Sequence, residues 1–431
     1  MAHRAASIAL AALAVALLAE IGARTTLPWV RGEDFAHARL LGRLHEVARV
    51  GAPTPTQEPQ AGWWIRDDVL HPFVGFVRNP EVRADLFNQL RVDSRVNAWG
   101  FFGPPPIGEE DSRRARVAIL GGSFATELFL YARDALREAL ARDPAFSGRE
   151  IEIVCLALGG MKQPQQLLVL DYVLALGARF DLVLNVDGFN EVVLPLEDNQ
   201  PLGVALHYPR SWPTYVSKGL DVSGQVLLGR IAELRERRAE RAERVGGSLL
   251  GRSSLALVAW SALDRRDQAR LAAVEEELRE YFAGEGRSRG LQESGPPESF
   301  AGPDGARREA VKLWRDGSIQ LARTCAASGI AYLHVLQPNQ YYPGERTFTP
   351  WERENALSAP DQAYRRHAEA GYPLLVEAGR ELAERGVPFA DLTRIFEDER
   401  RTVYRDDCCH LNDYGYARLA EAIAAALAAS R

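Results

Sequence analysis

The chain has 431 residues, of which 46% are hydrophobic and 26% charged, and a formal net charge of −6. This length predicts one large domain with insertions, or two domains. The net charge is negative, and no basic stripe is interleaved with aromatic residues. We therefore expect no nucleic-acid partner.

The first predicted element is an apolar N-terminal segment. His3 and Arg4 precede the stretch AASIALAALAVALLAEIGA, which is short for a membrane span and suits the apolar region of a secretory signal. Ile21 spoils the small-residue cleavage pattern, so residues 1–24 are predicted to be a signal peptide or an uncleaved membrane anchor, with a buried helix as the alternative. We expect an exported protein, anchored in the inner membrane with the rest of the chain in the periplasm or outside the cell.

Residues 25–110 are predicted to form an N-terminal extension and linker. The stretch VGAPTPTQEPQAG, at about residues 50–62, is rich in turn-forming residues and has no hydrophobic periodicity. An aromatic-rich segment follows and ends at NAWGFFGPPP, where three prolines interrupt the chain.

Strands and helices alternate over residues 111–431. Five apolar stretches have strand character: RVAILGG (116–122), EIEIVCLALGG (150–160), FDLVLNVD (180–187), IAYLHVLQPNQYY (330–342) and VPFADLTRIF (387–396). Apolar strands joined by amphipathic helices predict an α/β fold with a doubly wound, parallel, five-stranded sheet.

A long helical insertion, at about 196–305, interrupts this alternation after the third strand. It contains two long helical stretches and a connector rich in Gly, Ser and Pro. Because ligands bind at the carboxyl edge of such sheets, we expect the insertion to cover a site there and to influence substrate choice. An inert surface decoration is the alternative.

Ser123 is the first candidate functional residue. It follows the first strand in the stretch RVAILGGSFATELF, where the chain turns into a helix. A serine at this position either caps the helix or is a nucleophile beside the positive end of the helix dipole. The stretch departs from the G-x-S-x-G nucleophile motif at Ala125.

His410 is the best candidate for a base that would activate Ser123. It lies in YRDDCCHLNDYGYARL, between the last strand and the last helix, with Asp407 three residues before it. A carboxylate there would hold the imidazole in the required tautomer and stabilise its charged form. The alternative is an acidic loop that only caps the final helix. Among the other histidines, His334 lies within a strand and is expected to be a hydrogen-bonded interior residue.

Two further strand ends offer donors for an oxyanion hole. The second strand ends in LALGGMKQPQQ, where Gly159 or Gly160 would let a backbone N–H group approach a substrate. The third ends in DGFNEV, where Asn190 offers a side-chain amide. Both residue types are also ordinary in turns.

The order of GGSF, GG, GFNE and DDCCH resembles the SGNH (GDSL-type) hydrolase superfamily, bacterial membrane-anchored type, over roughly residues 115–431 without the insertion. The resemblance implies a flavodoxin-like fold, with Ser123 as nucleophile and Asp407 and His410 as its partners. It also implies an oxyanion hole formed by Ser123, Gly160 and Asn190. The family's G-D-S is G-G-S here, since Gly122 stands where aspartate is usual.

The predicted function is therefore a serine esterase that hydrolyses an ester or O-acyl group on a small molecule, carbohydrate or lipid. An O-acyltransferase using the same site and a non-catalytic carbohydrate-binding or scaffold protein are the alternatives. No cofactor is expected. A metal site is not expected either, because the sequence has no CxxC pair or HExxH motif. Four cysteines allow three disulfide connectivities, among which the sequence does not choose.

Overall fold

A computed structural model of the full chain describes residues 15, 17–26, 28–30, 35–50, 68–80, 96–108, 111–216, 222–283, 291–342 and 346–430. Most of the predicted signal or anchor segment and of the predicted linker at about 50–62 lies outside these residues. Within the described part of the chain, no helix has both the length and the apolar character that crossing a membrane requires.

The strands, in chain order, are β1 (Asp68–His71), β2 (Gly75–Arg78), β3 (Arg114–Gly121), β4 (Glu150–Cys155), β5 (Leu182–Asp187), β6 (Ala331–Leu336) and β7 (Phe389–Asp391). Strands β1 and β2 form an antiparallel hairpin, and the other five form a parallel sheet in the order β4-β3-β5-β6-β7. This α/β arrangement is compatible with a doubly wound fold, as the sequence predicted.

The helices, in chain order, are α1 (His37–Val50), α2 (Ser123–Leu140), α3 (Gln165–Ala175), α4 (Phe189–Leu194), α5 (Trp212–Tyr215), α6 (Val222–Gly246), α7 (Ser254–Ala283), α8 (Leu291–Ser294), α9 (Gly302–Ala327), α10 (Pro350–Asn355), α11 (Ala363–Glu384) and α12 (Asp413–Ala429).

The sheet forms the core of one compact unit, which comprises residues 64–216 and 288–431. All residues of β5 are buried, as are all of β3 after Arg114, because helices cover the sheet. Helix α2 packs against α12, and α9 packs against α3 and α11. The register pairs Gly121 with Val186 and Asp187 with Leu336, so the carboxyl ends of β3, β5 and β6 meet at one edge.

The other unit comprises residues 1–63 and 217–287, and its described core is helical. Leu40, Leu44 and Val47 of α1 pack with Ala242, Leu257 and Trp260 from the two long helices of the insertion, α6 and α7. A buried ion pair joins Arg238 to Asp264, with 2.7 Å between Nε and Oδ1.

The compact units follow different boundaries from those expected from the sequence. Helix α1 belongs to the predicted N-terminal extension, yet it packs with the long helices of the insertion, while the hairpin of β1 and β2 belongs to the unit with the sheet. Packing between segments far apart in the chain leaves no local sign in the sequence. The expectation that the insertion covers the site stays a prediction.

Candidate active site

Ser123 is the first residue of α2, and its hydroxyl does not cap that helix. Gly122 is the N-cap residue and has no side chain to offer the free N–H groups. The Ser123 Oγ instead lies 2.8 Å from Nε2 of His410. Ser123 is partly exposed to solvent.

Two glycines produce the sharp turn that presents Ser123. Gly121 has a φ of +142°, and a Cβ atom there would lie 2.2 Å from the backbone oxygen of Val186. A side chain at this position would therefore push the turn away from β5. The close contact fixes the beginning of α2 against the end of the neighbouring strand.

His410 is held by a closed loop between β7 and α12. Tyr404 and Leu411 form an isolated antiparallel bridge, and the Arg405 N–H group donates to the His410 carbonyl oxygen at 3.0 Å. Inside the loop, Oδ1 of Asp406 accepts hydrogen bonds from the N–H groups of residues 408, 409 and 410, at 3.1–3.2 Å. Oδ2 of Asp406 lies 2.7 Å from Nδ1 of His410.

The carboxylate that orients His410 is thus Asp406, and the expectation that Asp407 would do so is wrong. Oδ2 of Asp407 accepts a hydrogen bond from the hydroxyl of Ser358 at 2.8 Å. The physical reason is the turn between Arg405 and His410, which folds the Asp406 side chain back over the following N–H groups and directs Asp407 to the other side.

Glu127 is a second carboxylate beside His410 that the sequence analysis missed. It lies one helical turn after Ser123 on α2, and its Oε1 is 3.9 Å from Nε2 of His410. Arg405 pairs with Oε1, and the hydroxyl of Tyr416 donates to Oε2 at 2.9 Å. The spacing of four residues from Ser123 is the sequence signal that could have identified it.

These charges shift the pKa values of the site. Burial by itself would lower the pKa of His410, but the carboxylates of Asp406 and Glu127 raise it to about 10. Burial would raise the pKa of Asp406, yet the charge and hydrogen bond of His410 lower it to about 2. The arrangement therefore strongly favours the charged form of the imidazole, which is the form that a general base produces during reaction.

Asn190 lies at the beginning of α4, just after β5, and its amide reaches the turn before Ser123. Its Nδ2 donates to the Met161 carbonyl oxygen at 2.9 Å. A Cβ atom on Gly122 would lie only 2.1 Å from Nδ2 of Asn190. The amide therefore occupies the space that a side chain at residue 122 would need, and glycine leaves that space open. In the SGNH superfamily, which the sequence resembles, an aspartate is usual at this position.

The glycine pair after β4 lies close to Ser123. A Cβ atom on Gly159 would lie 3.8 Å from the Cβ atom of Ser123, whereas one on Gly160 would lie 3.0 Å from Cδ of Arg210. A side chain at residue 159 would therefore contact Ser123. The expectation that Gly160 donates to the oxyanion stays a prediction. Within the described residues, the N–H groups of Ser123, Gly159 and Gly160 donate no hydrogen bond.

A buried arginine, Arg78, and a partly buried one, Arg210, flank the glycine pair, and each has a carboxylate partner. Nη1 of Arg78 lies 3.1 Å from Oδ1 of Asp68. Arg210 pairs with Asp198 and donates to the hydroxyl of Tyr364 at 3.0 Å. These two ion pairs hold the arginines in place beside the glycine pair, and each pair adds little net charge to the site.

The four cysteines are free thiols in the structure. Sγ atoms of Cys408 and Cys409 and a ring nitrogen of His410 lie within 4.8 Å of one another, so this group could hold a soft metal ion. Both ring nitrogens of His410 are already engaged, and metal binding would release Ser123 or Asp406. The donor set thus fits a metal poorly while the Ser123 contact is made.

His334 is buried and hydrogen-bonded, as predicted. Its Nε2 lies 2.8 Å from Oδ1 of Asp187, and its Nδ1 lies 2.7 Å from Oγ of Ser318. Trp314 and Asn185 donate to the two oxygens of Asp187 at 2.6 Å and 2.8 Å. This second Ser–His–Asp chain is inaccessible to a substrate, since His334 and Ser318 have no exposed surface.

Comparisons with known proteins do not assign the chain to a family. No protein-family model matches the sequence, and no curated protein is detectably similar to it.

Proposed function

We propose that the protein is a serine hydrolase of the SGNH type that cleaves an ester or O-acyl group through an acyl-enzyme on Ser123. The observation that carries the proposal is the chain from Ser123 Oγ to His410 at 2.8 Å and from His410 to Asp406 at 2.7 Å. A serine hydroxyl is a weak nucleophile, and an adjacent base oriented by a third group is the arrangement that activates it.

In the first step, Ser123 Oγ forms a bond to the acyl carbon and its proton passes to Nε2 of His410. Asp406 keeps its negative charge and stabilises the imidazolium through Nδ1. The carbonyl oxygen becomes an oxyanion, which can accept hydrogen bonds from the N–H groups of Ser123 and of Gly159 or Gly160.

Asn190 supplies the remaining donor of this hole. One N–H bond of its amide is directed to the Met161 carbonyl oxygen, which fixes the orientation of the group. The second N–H bond is then available to the oxyanion. A donor held in place before the reaction stabilises developing charge without a reorganisation cost.

In the second half of the reaction, His410 returns its proton to the leaving alcohol as the ester C–O bond breaks. Water then attacks the acyl carbon and gives its proton to His410, which passes it to Ser123 Oγ as the bond between the acyl carbon and Oγ breaks and the acid leaves. Every proton transfer in this scheme passes through His410. That no cofactor is needed stays a prediction. The substrate is proposed to be a small-molecule, carbohydrate or lipid ester. Export and membrane attachment through residues 1–24 stay predictions.

Hydrolysis of acetyl, butyryl and longer-chain esters by the full-length protein tests this proposal. The wild-type protein is expected to hydrolyse at least one ester, and Ser123→Ala is expected to lose that activity. A folded wild-type protein without activity on the panel, or an active Ser123→Ala variant, contradicts the proposal. An added carbohydrate acceptor separates the two enzyme classes, because transfer in excess of hydrolysis would indicate an O-acyltransferase.

A further inference from the structure

Cys408 and Cys409 are adjacent thiols in the loop that holds the proposed catalytic histidine. Their Sγ atoms lie 3.3 Å apart. Cys408 is partly exposed, whereas Cys409 is 1% exposed. The pair stands between Asp406 and His410 in the sequence, and the proposed mechanism gives neither thiol a role.

The backbone of the two cysteines supports Asp406. The N–H groups of Cys408 and Cys409 each donate to Oδ1 of Asp406 at 3.1 Å. The other oxygen of the same carboxylate orients His410. A covalent change that turns the peptide unit between the cysteines would therefore displace the carboxylate, the imidazole, or both.

We propose that Cys408 and Cys409 are a redox modification site, at which a reversible disulfide between the two adjacent residues switches off the Ser123–His410 pair. Forming the bond breaks two S–H bonds and removes two protons and two electrons. A small-molecule disulfide is the oxidant. Cys408, the more exposed thiol, attacks it and releases one thiol; Cys409 then displaces the second thiol and closes the S–S bond.

The geometry favours a bond that is easily reduced. A disulfide needs its sulfurs about 2.05 Å apart and usually joins residues with Cα atoms about 4.4–6.8 Å apart. Adjacent residues have Cα atoms only about 3.8 Å apart, so the closed ring is strained. Strained disulfides have more oxidising potentials and are the labile or regulatory ones.

The same ring explains the loss of activity. The sulfurs are 3.3 Å apart, so closing the bond rotates the peptide between residues 408 and 409. The N–H group of this peptide belongs to Cys409 and donates to Oδ1 of Asp406, so the rotation displaces a hydrogen bond that holds the carboxylate. The hydrogen bond with Cys409 and burial raise the pKa of the Cys408 thiol, and burial raises that of Cys409. Both thiols are therefore mostly protonated at neutral pH, and exchange with the oxidant is expected to become faster as the pH rises, because the thiolate is the nucleophile.

The test treats the full-length protein with oxidised glutathione in a buffer containing a metal chelator, and then with dithiothreitol. Intact mass and mapping of the unreduced 408–409 peptide report the bond, and labelling of Ser123 by a fluorophosphonate probe reports the site. We expect the peptide to lose two hydrogen atoms, labelling to fall at least tenfold, and both changes to reverse on reduction.

Cys408→Ser lacks the attacking thiol and is expected to be labelled normally before and after oxidation. Cys409→Ser cannot close the ring and should stop at a mixed disulfide between Cys408 and glutathione, which the intact mass identifies. Cys155→Ser is the matched control and should remain sensitive to the oxidant. The inference is overturned if the peptide keeps its hydrogens, or if the disulfide forms and labelling persists.

The effect on labelling rests on the proposed function, but bond formation does not. If the reduced wild-type protein is not labelled while the peptide still loses two hydrogens, the proposed function has failed and the modification site stands. If the reduced protein is labelled and the peptide does not change, the modification site has failed and the proposed function stands.

Discussion

Nδ1 of His410 lies 2.7 Å from Oδ2 of Asp406, and Asp407, although one residue nearer in the sequence, bonds to Ser358 instead. The two aspartates are therefore neighbours with the same side chain, but Asp406 bonds to His410 and Asp407 to Ser358. This makes them a sensitive pair of variants for testing the mechanism.

Asp406→Asn is expected to lower kcat by about 10³–10⁴, because the amide cannot stabilise the imidazolium and favours the wrong tautomer. Asp407→Asn should stay within a few-fold of wild type, since it loses only a contact with Ser358. Ester hydrolysis at saturating substrate measures both. A larger loss from Asp407→Asn than from Asp406→Asn would contradict the assignment.

The pH dependence of the reaction follows from the raised pKa of His410. The base must be neutral to accept the Ser123 proton, so kcat/KM should rise about tenfold per pH unit below the His410 pKa. The rise should level off only near pH 10, because the carboxylates of Asp406 and Glu127 hold the pKa at about 10. A profile that levels off near pH 6.5 would contradict this account.

Glu127→Gln separates the contribution of the second carboxylate. It removes a negative charge 3.9 Å from Nε2 of His410 while leaving a side chain that Tyr416 and Arg405 can still contact. The plateau of the pH–rate profile should move to lower pH, because the imidazolium loses one stabilising charge. Glu138→Gln, an exposed position on the same helix, is the control and should leave the profile in place.

Asn190 and Gly122 should act as one unit. Asn190→Ala removes one oxyanion donor and should lower kcat by about 10²–10³. Gly122→Ala places a Cβ atom where Nδ2 of Asn190 now lies and should cause a comparable loss by displacing the amide. The double variant should then be no slower than the slower single variant, because the same donor is lost. Fully additive losses would show that Gly122 acts otherwise. Gly42→Ala, where a Cβ atom meets nothing within 4 Å, is the control.

The buried chain of Ser318, His334 and Asp187 should affect stability and not chemistry. Ser318→Ala leaves Nδ1 of His334 without its partner at 2.7 Å and should cost about 1–3 kcal/mol of unfolding free energy. Denaturant unfolding measures the loss, and probe labelling of Ser123 should be unchanged. Loss of labelling in a folded Ser318→Ala protein would contradict this division of roles.

Much of the fold was predictable because strands and helices differ in hydrophobic period. The five parallel strands were expected from continuous apolar stretches, and β5 is indeed buried along its whole length. Ser123, Asn190 and His410 were expected to approach one another because each follows a strand of one parallel sheet. The structure brings Ser123 to His410 and places Asn190 beside Gly122.

What the sequence did not reveal depends on side-chain direction and distant packing. The choice between Asp406 and Asp407 is made by a turn closed through Arg405 and His410, and spacing alone does not determine its shape. Glu127 reaches the site because it lies one helical turn after Ser123 on α2, and its Oε1 is 3.9 Å from Nε2 of His410. The packing of α1 with α6 and α7 joins segments about 200 residues apart, which no local pattern predicts.

Fluorophosphonate labelling of the reduced, full-length protein, read by intact mass and peptide mapping, tests the central claim most directly. We predict one adduct, on Ser123, with faster labelling as pH rises and no adduct on Ser123→Ala. His410→Ala and the double variant with Ser123→Ala should lose hydrolysis to the same low level as Ser123→Ala, because these residues act together. A folded wild-type protein that takes up no probe, or a Ser123→Ala variant that is labelled as fast as wild type, would contradict the account.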